Sequence, residues 1–245
     1  MTKMLLFGWA LGVGLAGLAA IRAKFEEDVI PTSKGDLTIT FLGHGSLMMR
    51  YADKVIQVDP VAQEADYGRL PKADLVLITH DHYDHLDPEA LARVRKPGSE
   101  VVASRSCEGK VEGAVIMSNG ETHTALGLDI AAVPAYNILH KRPDGAPFHP
   151  RGEGNGYIVT FGDKRVYIAG DSENTAEMKA LRDIDVAFLP MNLPYTMTPE
   201  MVADAARAIR PKILYPYHYG ETRVAKLVEL LEGERDVEVR IRNLK

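Results

Sequence analysis

Short apolar runs separated by turn residues recur along the chain from residue 37 onward. Leu37 to Phe41 is rich in β-forming residues, and Leu47 to Tyr51 and Val55 to Val58 follow it with turn signals between them. These runs predict an antiparallel meander that ends at Asp59. Leu75 to Thr79 is a continuous apolar run, which predicts a strand buried on both faces.

Helical patterns follow these strands. Asp87-Pro88-Glu89 supplies an N-cap, a proline at the first helical position and an acid in the first turn, and it predicts a short helix to about Val94. Thr198 opens a second predicted helix, which Pro211 ends. The apolar positions from Val224 to Leu231 predict a final amphipathic helix.

The second half of the chain repeats the strand pattern. Tyr157 to Phe161 and Arg165 to Ala169 predict a hairpin, and Val186 to Leu189 and Ile213 to Tyr217 predict further strands. Val237 to Ile241 alternates as a last predicted strand. Because strands lead in each half and helices follow, we expect an α/β fold with sheets in the middle and helices outside.

The N-terminal residues differ from the rest. Met4 to Ile21 is a run of 18 residues without a charge, preceded by Lys3. Such a run is typical of a signal peptide or an N-terminal membrane anchor, with a buried core helix as the alternative. We therefore expect residues 1–24 to make the protein exported or membrane-anchored, with its catalytic domain outside the cytoplasm. Residues 25–36 are polar and predict a linker.

The composition narrows the function classes. Hydrophobic residues make up 46% and charged residues 26%, which is ordinary for a globular protein with a sizeable core. The net charge is -5 and no cluster of Lys and Arg occurs, so we expect a small-molecule substrate and no nucleic-acid partner. Cys107 is the only cysteine, which excludes an intramolecular disulfide. The oligomeric state is left open.

The most chemically informative feature is a cluster of His and Asp directly after the strand that ends at Thr79. Three His and two Asp lie within six residues: His80, Asp81, His82, Asp84 and His85. Alternate residues of an extended chain point the same way, so His80 and His82 can share one side, while Asp84 and His85 follow on a turn. Imidazole and carboxylate ligands suit zinc, iron or manganese. Such a turn could bind two ions.

The motif His80-x-His82-x-Asp84-His85 resembles the metal-binding signature of the metallo-β-lactamase superfamily. The wider phrase from Ile78 to Asp87 is similar to the branch that holds ascorbate-6-phosphate lactonase and the phospholipase D that cleaves N-acyl-phosphatidylethanolamine. Further matching motifs are Gly43-His44-Gly45-Ser46, Asp59-Pro60, Ala169-Gly170-Asp171-Ser172 and Pro216-Tyr217-His218-Tyr219-Gly220. The resemblance implies a catalytic domain over residues 37–245 with a four-layer αββα sandwich and metals at the rim of its two sheets.

The resemblance also implies roles for residues outside the His cluster. It makes Asp171 a carboxylate that bridges two ions, His218 the last ligand, and Asp59 a buried acid that orients a ligating His. From the local pattern alone, Asp171 is equally a helix N-cap, His218 a packed core histidine, and Asp59 a turn residue. His44, between two glycines, either lines the site or closes the turn.

The chain departs from the family pattern at one His ligand. The broader family places a His shortly after a Pro-Ala pair such as Pro134-Ala135, where this chain has Tyr136-Asn137. His140 and His149 are the candidates. A sub-branch with Ala-Tyr-Asn followed by Phe-His-Pro resembles this chain more closely and favours His149. His140 has the spacing to Asp171 that the phospholipase branch implies.

Local chemistry also favours His149. Pro147 and Pro150 stiffen its surroundings, which lowers the entropy cost of fixing a ligand on a loop. Lys141 and Arg142 flank His140, and their charges oppose a nearby dication. The same charges could instead attract an anionic substrate to the mouth of the site.

Together with the resemblance, these residues predict a metal-dependent hydrolase with two divalent ions, zinc with manganese or iron as alternatives. The predicted ligands are His80, His82, Asp84, His85, His149, Asp171 and His218. A hydroxide held between the ions would attack a lactone, ester or phosphodiester, with Asp84 relaying a proton and Asp171 bridging the ions. A non-catalytic metal-binding or sensing protein on the same fold is the alternative. An RNA nuclease would share the site but need a basic surface.

Overall fold

The first half of the chain forms one seven-stranded sheet in residues 25–245, the part that the computed structural model describes. Its strands are β1 (Glu27–Ile30), β2 (Leu37–Gly43), β3 (Ser46–Tyr51), β4 (Lys54–Val58), β5 (Leu75–Ile78), β6 (Glu100–Ser104) and β7 (Val115–Met117). Neighbours in sequence are neighbours in the sheet. Strands β1 to β4 pair antiparallel, and β4 to β7 pair parallel. The predicted meander is therefore confirmed.

The second half forms another seven-stranded sheet with the same division. Its strands are β8 (Thr122–Ala125), β9 (Leu128–Ala135), β10 (Gly154–Phe161), β11 (Lys164–Ile168), β12 (Val186–Pro190), β13 (Ile213–Tyr217) and β14 (Glu238–Val239). Strands β8 to β11 pair antiparallel and β11 to β14 pair parallel. The predicted hairpin is β10 and β11, whereas the predicted last strand is shorter than expected.

Helices cover the outer faces of the sheets. In the described residues they are α1 (Pro88–Val94), α2 (Ala176–Lys179), α3 (Pro199–Ile209) and α4 (Val224–Leu230). Asp87 caps α1 by accepting from the backbone N–H groups of Glu89 and Ala90, and Thr198 caps α3 by accepting from Met201. Both caps stand where the sequence predicts them.

Side chains that alternate along each strand pack against different layers of the sandwich. Leu75 and Leu77 of β5 join an apolar cluster that also contains residues of the second sheet, such as Val159 and Phe188. Val76 and Ile78 face the opposite way and pack with α1. A third cluster packs the second sheet against α3 and α4. The expected four-layer αββα sandwich is thereby confirmed.

One prediction fails next to the N-terminal segment. Within residues 25–36, predicted as a linker, Glu27–Ile30 form β1 and pair with β2. Two of its four residues are acidic, and the carboxylate of Asp28 accepts hydrogen bonds of 2.7 and 2.8 Å from Arg242 near the other end of the chain. The strand pairs with its neighbour β2 in the chain, while the side-chain partner of Asp28 comes from remote sequence, which a local pattern does not reveal.

The predicted signal peptide or anchor of residues 1–24 lies outside the described residues. Within residues 25–245, no helix combines the length and apolar character needed to cross a membrane. The export prediction stays a prediction.

Candidate metal centre

Most of the candidate ligands follow the ends of parallel strands. The chain enters the His cluster after β5, reaches Asp171 after β11 and His218 directly after β13. Asp59 directly follows β4 with φ 42°, and His218 has φ 46°. Non-glycine residues rarely adopt this left-handed conformation, and it is concentrated at functional positions. The carboxyl ends of both sheets therefore bring these side chains together.

The first cluster consists of His80, His82 and His149, whose donor atoms lie within 4.8 Å of one another. Burial, reinforced by the neighbouring His85, lowers the pKa of His80 well below its usual value. Burial and His149 likewise lower the pKa of His82. Neutral imidazoles keep a lone pair, which is the form that ligates a metal.

The second cluster consists of His44, Asp84, His85 and His218. The Oδ2 atom of Asp84 lies 3.3 Å from Nε2 of His44 and 3.5 Å from Nε2 of His218. Burial raises the pKa of Asp84, but His218 and His44 outweigh it and hold that pKa far below its usual range. Asp84 is therefore an anion at the edge of the site.

Asp171 lies between the two clusters. Its Oδ2 is 3.2 Å from Nε2 of His149, and its Oδ1 is 3.3 Å from Nε2 of His85. Burial raises the pKa of Asp171, but the charges of His218 and His85 lower it well below the usual value. The structure thus places one ionised carboxylate in contact with an imidazole of each cluster, as a bridging ligand requires.

Several buried atoms at the centre make no hydrogen bond of good geometry with any described residue. They are Nε2 of His80, Nε2 of His85, Nε2 of His218 and Oδ1 of Asp171. Buried polar atoms without a partner are costly and rare in native proteins. Nitrogen and oxygen donors converging in this way match the preferences of zinc, manganese and iron. The residues present therefore fit divalent ions.

The charges around His85 also favour a cation at the centre. Burial opposes a charge on His85, but the carboxylates of Asp171 and Asp59 raise the pKa of this imidazole well above its usual value. The two carboxylates therefore favour positive charge at the centre. A divalent cation supplies that charge in place of a proton.

Asp59 positions two of the imidazoles from behind. Its Oδ2 accepts hydrogen bonds from Nδ1 of His85 at 2.8 Å and from Oγ1 of Thr79 at 2.6 Å. Oγ1 of Thr79 in turn lies 3.0 Å from Nδ1 of His80. In both imidazoles Nδ1 therefore carries the proton and points away from the centre. Nε2 points toward the centre with a free lone pair. Asp59 is completely buried.

A glycine lets this arrangement form. A Cβ atom at Gly45 would lie 2.9 Å from Cε1 and 3.1 Å from Nδ1 of His85. Both distances are shorter than a normal contact, and the His85 ring is held by Asp59. The glycines around His44 thus serve close approach as well as the turn, where His44 itself has φ 49°.

The structure separates the two candidates for the missing His ligand. Nε2 of His149 faces Asp171, and its Nδ1 lies 2.8 Å from Oδ1 of Asn137. Nδ1 of His140 instead lies 2.8 Å from the carbonyl oxygen of Thr196 and 2.9 Å from Glu173. Among residues 25–245, His140 belongs to none of the groups of converging donor atoms. The geometry places His149 at the centre and His140 beside it.

A cavity of about 600 Å³ opens onto both clusters. Its wall includes Glu64, Arg142, Phe148 and Tyr195 in addition to candidate ligands. The guanidinium carbon of Arg142 lies 5.2 Å from the centre of the Phe148 ring, and the rings of Phe148 and Tyr195 meet edge to face at 5.1 Å. Within the described residues Arg142 makes no ion pair. The mouth therefore offers an unpaired cation beside two aromatic rings.

Residues 38–218 match the model of a family described as the beta-lactamase superfamily domain. The chain belongs to this superfamily. The match spans every candidate ligand from His80 to His218.

Curated relatives of this superfamily member carry the name of an enzyme class. A UPF0173 metal-dependent hydrolase of Methanopyrus kandleri is 31% identical over 196 residues, which cover 75% of this chain and 84% of the relative. Its counterpart in Thermus thermophilus is 33% identical over 192 residues, covering 74% and 83%.

Solved structures agree with these relatives. One similar crystal structure is of a protein from Parabacteroides distasonis that is named as a metal-dependent hydrolase. It has a TM-score of 0.86 and 50% identity, covering 90% of this chain and 100% of that chain. Igni18, a metallo hydrolase of Ignicoccus hospitalis, has a TM-score of 0.69 and 27% identity, covering 85% and 95%. The predicted superfamily and enzyme class are confirmed. The narrower resemblance to the lactonase and phospholipase branch stays a prediction.

The sequence alone missed three residues behind the ligands: Thr79, Asn137 and Glu173. Asn137 carried a usable signal, because it stands where the broader family has its His ligand. Thr79 and Glu173 are neighbours of predicted ligands in the chain, but their hydrogen bonds cross between separate loops and strands.

Proposed function

We propose that this superfamily member is a hydrolase that uses two divalent ions to cleave a lactone, ester or phosphodiester bond in a small molecule. Zinc is the metal that we favour, with manganese or iron as alternatives. The observation that carries the proposal is the position of Asp171, whose two carboxylate oxygens contact His149 of the first cluster and His85 of the second. One shared carboxylate is what a pair of neighbouring ions needs.

Each side chain has a role in this proposal. His80, His82 and His149 would hold one ion, Asp84, His85 and His218 would hold the other, and Asp171 would serve both. When bound, two such ions supply an activated water at neutral pH and polarise the bond under attack.

Asp84 differs from Asp171 in exposure. Its side chain is 28% exposed and lines the cavity, whereas that of Asp171 is 3% exposed. Its free oxygen faces the cavity, and because its pKa is held far below the usual range, Asp84 would hold a proton from a reacting group only transiently before releasing it to solvent. His44, 3.3 Å from Asp84, holds the carboxylate in place. Asp84 is the proton carrier in this proposal.

The cavity supports a small-molecule substrate. Its volume of about 600 Å³ lies within the range of small-molecule sites. The guanidinium of Arg142 presents a planar set of donors suited to a carboxylate or phosphate group. Phe148 and Tyr195 offer apolar surface next to it. A substrate with an anionic group near an apolar part fits this wall.

The test is hydrolysis by protein loaded separately with zinc, manganese or ferrous iron. Lactones, carboxylic esters and phosphodiesters are offered in parallel, and metal content is measured on the same samples. We expect turnover in at least one class with wild-type protein, no turnover with Asp171→Asn, and wild-type turnover with Asp129→Asn, an exposed control on β9. Protein that binds two ions and hydrolyses none of the three classes contradicts the proposal.

A further inference from the structure

Glu173 is a fully buried carboxylate near the centre, and within residues 25–245 it makes no ion pair with Lys or Arg. A buried carboxylate needs several hydrogen bonds to be tolerated. Glu173 receives them from one segment of the loop after β9. Its Oε2 accepts from the backbone N–H groups of Ile138 at 2.8 Å and Leu139 at 2.7 Å, and its Oε1 accepts from that of His140 at 2.7 Å. The carboxylate therefore fixes three consecutive peptide groups.

Asn137 connects this carboxylate to His149. Its Nδ2 donates to Oε1 of Glu173 at 3.2 Å and to the carbonyl oxygen of Tyr195 at 2.8 Å. Its Oδ1 accepts from the backbone N–H of His149 at 2.7 Å and from Nδ1 of the same residue at 2.8 Å. Its own N–H donates to the carbonyl of His149 at 2.9 Å. Because both sides of the amide meet complementary partners, only one orientation of Asn137 satisfies all of them.

His149 needs such support because it lies on an irregular loop. Residues 136–153 connect β9 to β10 without a helix or strand. Fixing a loop residue in one geometry costs backbone conformational entropy, which contacts from outside the loop must offset. The other imidazoles of the first cluster follow directly from β5 and do not depend on a long loop. Without outside contacts, His149 would be the least fixed member of the cluster.

Glu173, which anchors the His149 loop, comes from the same turn as Asp171. Glu173 stands two positions after Asp171, in the segment between β11 and α2. The turn that carries Asp171 therefore also holds the loop that carries His149, and the two side chains meet at 3.2 Å. His140 takes part through Nδ1, 2.9 Å from Glu173, rather than through the centre.

We infer that Asn137 and Glu173 are positioning residues that hold His149 in ligating geometry before any ion binds. Asn137 sets the orientation of the imidazole, with Nδ1 protonated and Nε2 directed at the centre. Glu173 sets the path of the loop and anchors Asn137. The inference rests on the proposed function only in taking His149 as a metal ligand.

The experiment compares Asn137→Ala and Glu173→Gln with one matched control each. Asn174→Ala removes an amide bonded to exposed Asp204, and Glu200→Gln changes an exposed carboxylate in the first turn of α3. Zinc affinity is measured by competition with a chromophoric chelator. Hydrogen exchange of residues 138–140 is measured in metal-free protein. Neither measurement needs a substrate, so a failure of the proposed hydrolysis leaves this test intact.

We expect Asn137→Ala to weaken one of two zinc sites roughly 10–100-fold, the effect typical of losing a partner behind a ligating His. Glu173→Gln keeps the size of the side chain but loses acceptor capacity, so exchange at residues 138–140 should accelerate and one zinc site should weaken. Both controls should behave as wild type. Wild-type zinc affinity in Asn137→Ala overturns the positioning role of Asn137. Unchanged exchange in metal-free Glu173→Gln overturns the anchoring role of Glu173, and this variant also covers the case in which Asn137→Ala fails to fold.

Discussion

The two halves of the molecule supply the candidate ligands in different ways. The first half contributes His80, His82, Asp84 and His85 from one short turn after a buried strand. The second half contributes His149, Asp171 and His218 from three separate loops. The first arrangement is local and can be recognised along the chain. The second exists only because the strands β9 to β13 assemble side by side.

The support behind the ligands differs in the same way. In the first half, the buried carboxylate of Asp59 at the end of β4 directs His85 and, through Thr79, His80. In the second half, an irregular loop is held by the buried Glu173. A strand end is fixed by the sheet itself, whereas a loop depends on individual side-chain hydrogen bonds. We therefore expect the second half to be more sensitive to single substitutions behind the ligands.

The largest effect is expected at the residue that joins the two halves. Asp171→Ala removes a carboxylate shared by both clusters, so both ions should bind weakly and kcat/KM should fall at least about 1000-fold, or about 4 kcal/mol. Metal analysis and kinetics on the same preparation measure both effects. His82→Ala, the comparison variant, should weaken only one ion. Wild-type turnover in Asp171→Ala would return Asp171 to the role of a turn residue.

The second prediction separates the loop histidines. His149→Ala should lose about one ion per chain, and the loss of affinity should exceed the roughly 10–100-fold typical of a residue behind a ligand. His140→Ala should keep two ions, because Nδ1 of His140 faces Thr196 and Glu173. Metal content by mass spectrometry decides between them. A loss confined to His140→Ala would show that His149 is assigned wrongly.

The third prediction tests the support in the first half. Asp59→Asn keeps the shape of the side chain but places an amide where Oδ2 accepts from His85 and Thr79. The affinity for one or both ions should fall roughly 10–100-fold. Competition with a chelator measures it, and Asp66→Asn at an exposed position is the control. Unchanged affinity would mean that the sheet alone orients His85.

The smallest effect is expected at the mouth of the cavity. Arg142→Gln removes the cation of the cavity wall and should raise KM roughly tenfold for anionic substrates, the size expected for one exposed charge-assisted hydrogen bond. Neutral substrates of the same shape should be unaffected. Lys141→Gln, the neighbouring charge outside the cavity wall, should change neither value. An equal rise in KM for neutral substrates would indicate a packing role for Arg142 on Phe148.

The sequence determined the features that depend on neighbours along the chain. The meander β2 to β4, the doubly buried β5 and the caps Asp87 and Thr198 follow from periodicity and capping chemistry, which act over a few residues. The same holds for the His cluster after β5, because the spacing of His80, His82, Asp84 and His85 in one short segment defines it. The superfamily could be recognised from these local patterns.

Only the tertiary structure decided which remote side chains meet. Residues 25–36, predicted as a linker, contain β1, whose Asp28 is bound by Arg242 from the other end of the chain. Asn137 and Glu173 were unassigned because their hydrogen bonds join a loop to a turn more than thirty residues away in sequence. The placement of His149 over His140 depends on those bonds. A sequence states which donors and acceptors exist, but a hydrogen bond forms only at about 3 Å, and that distance is set by how the strands assemble within each sheet and how the two sheets pack.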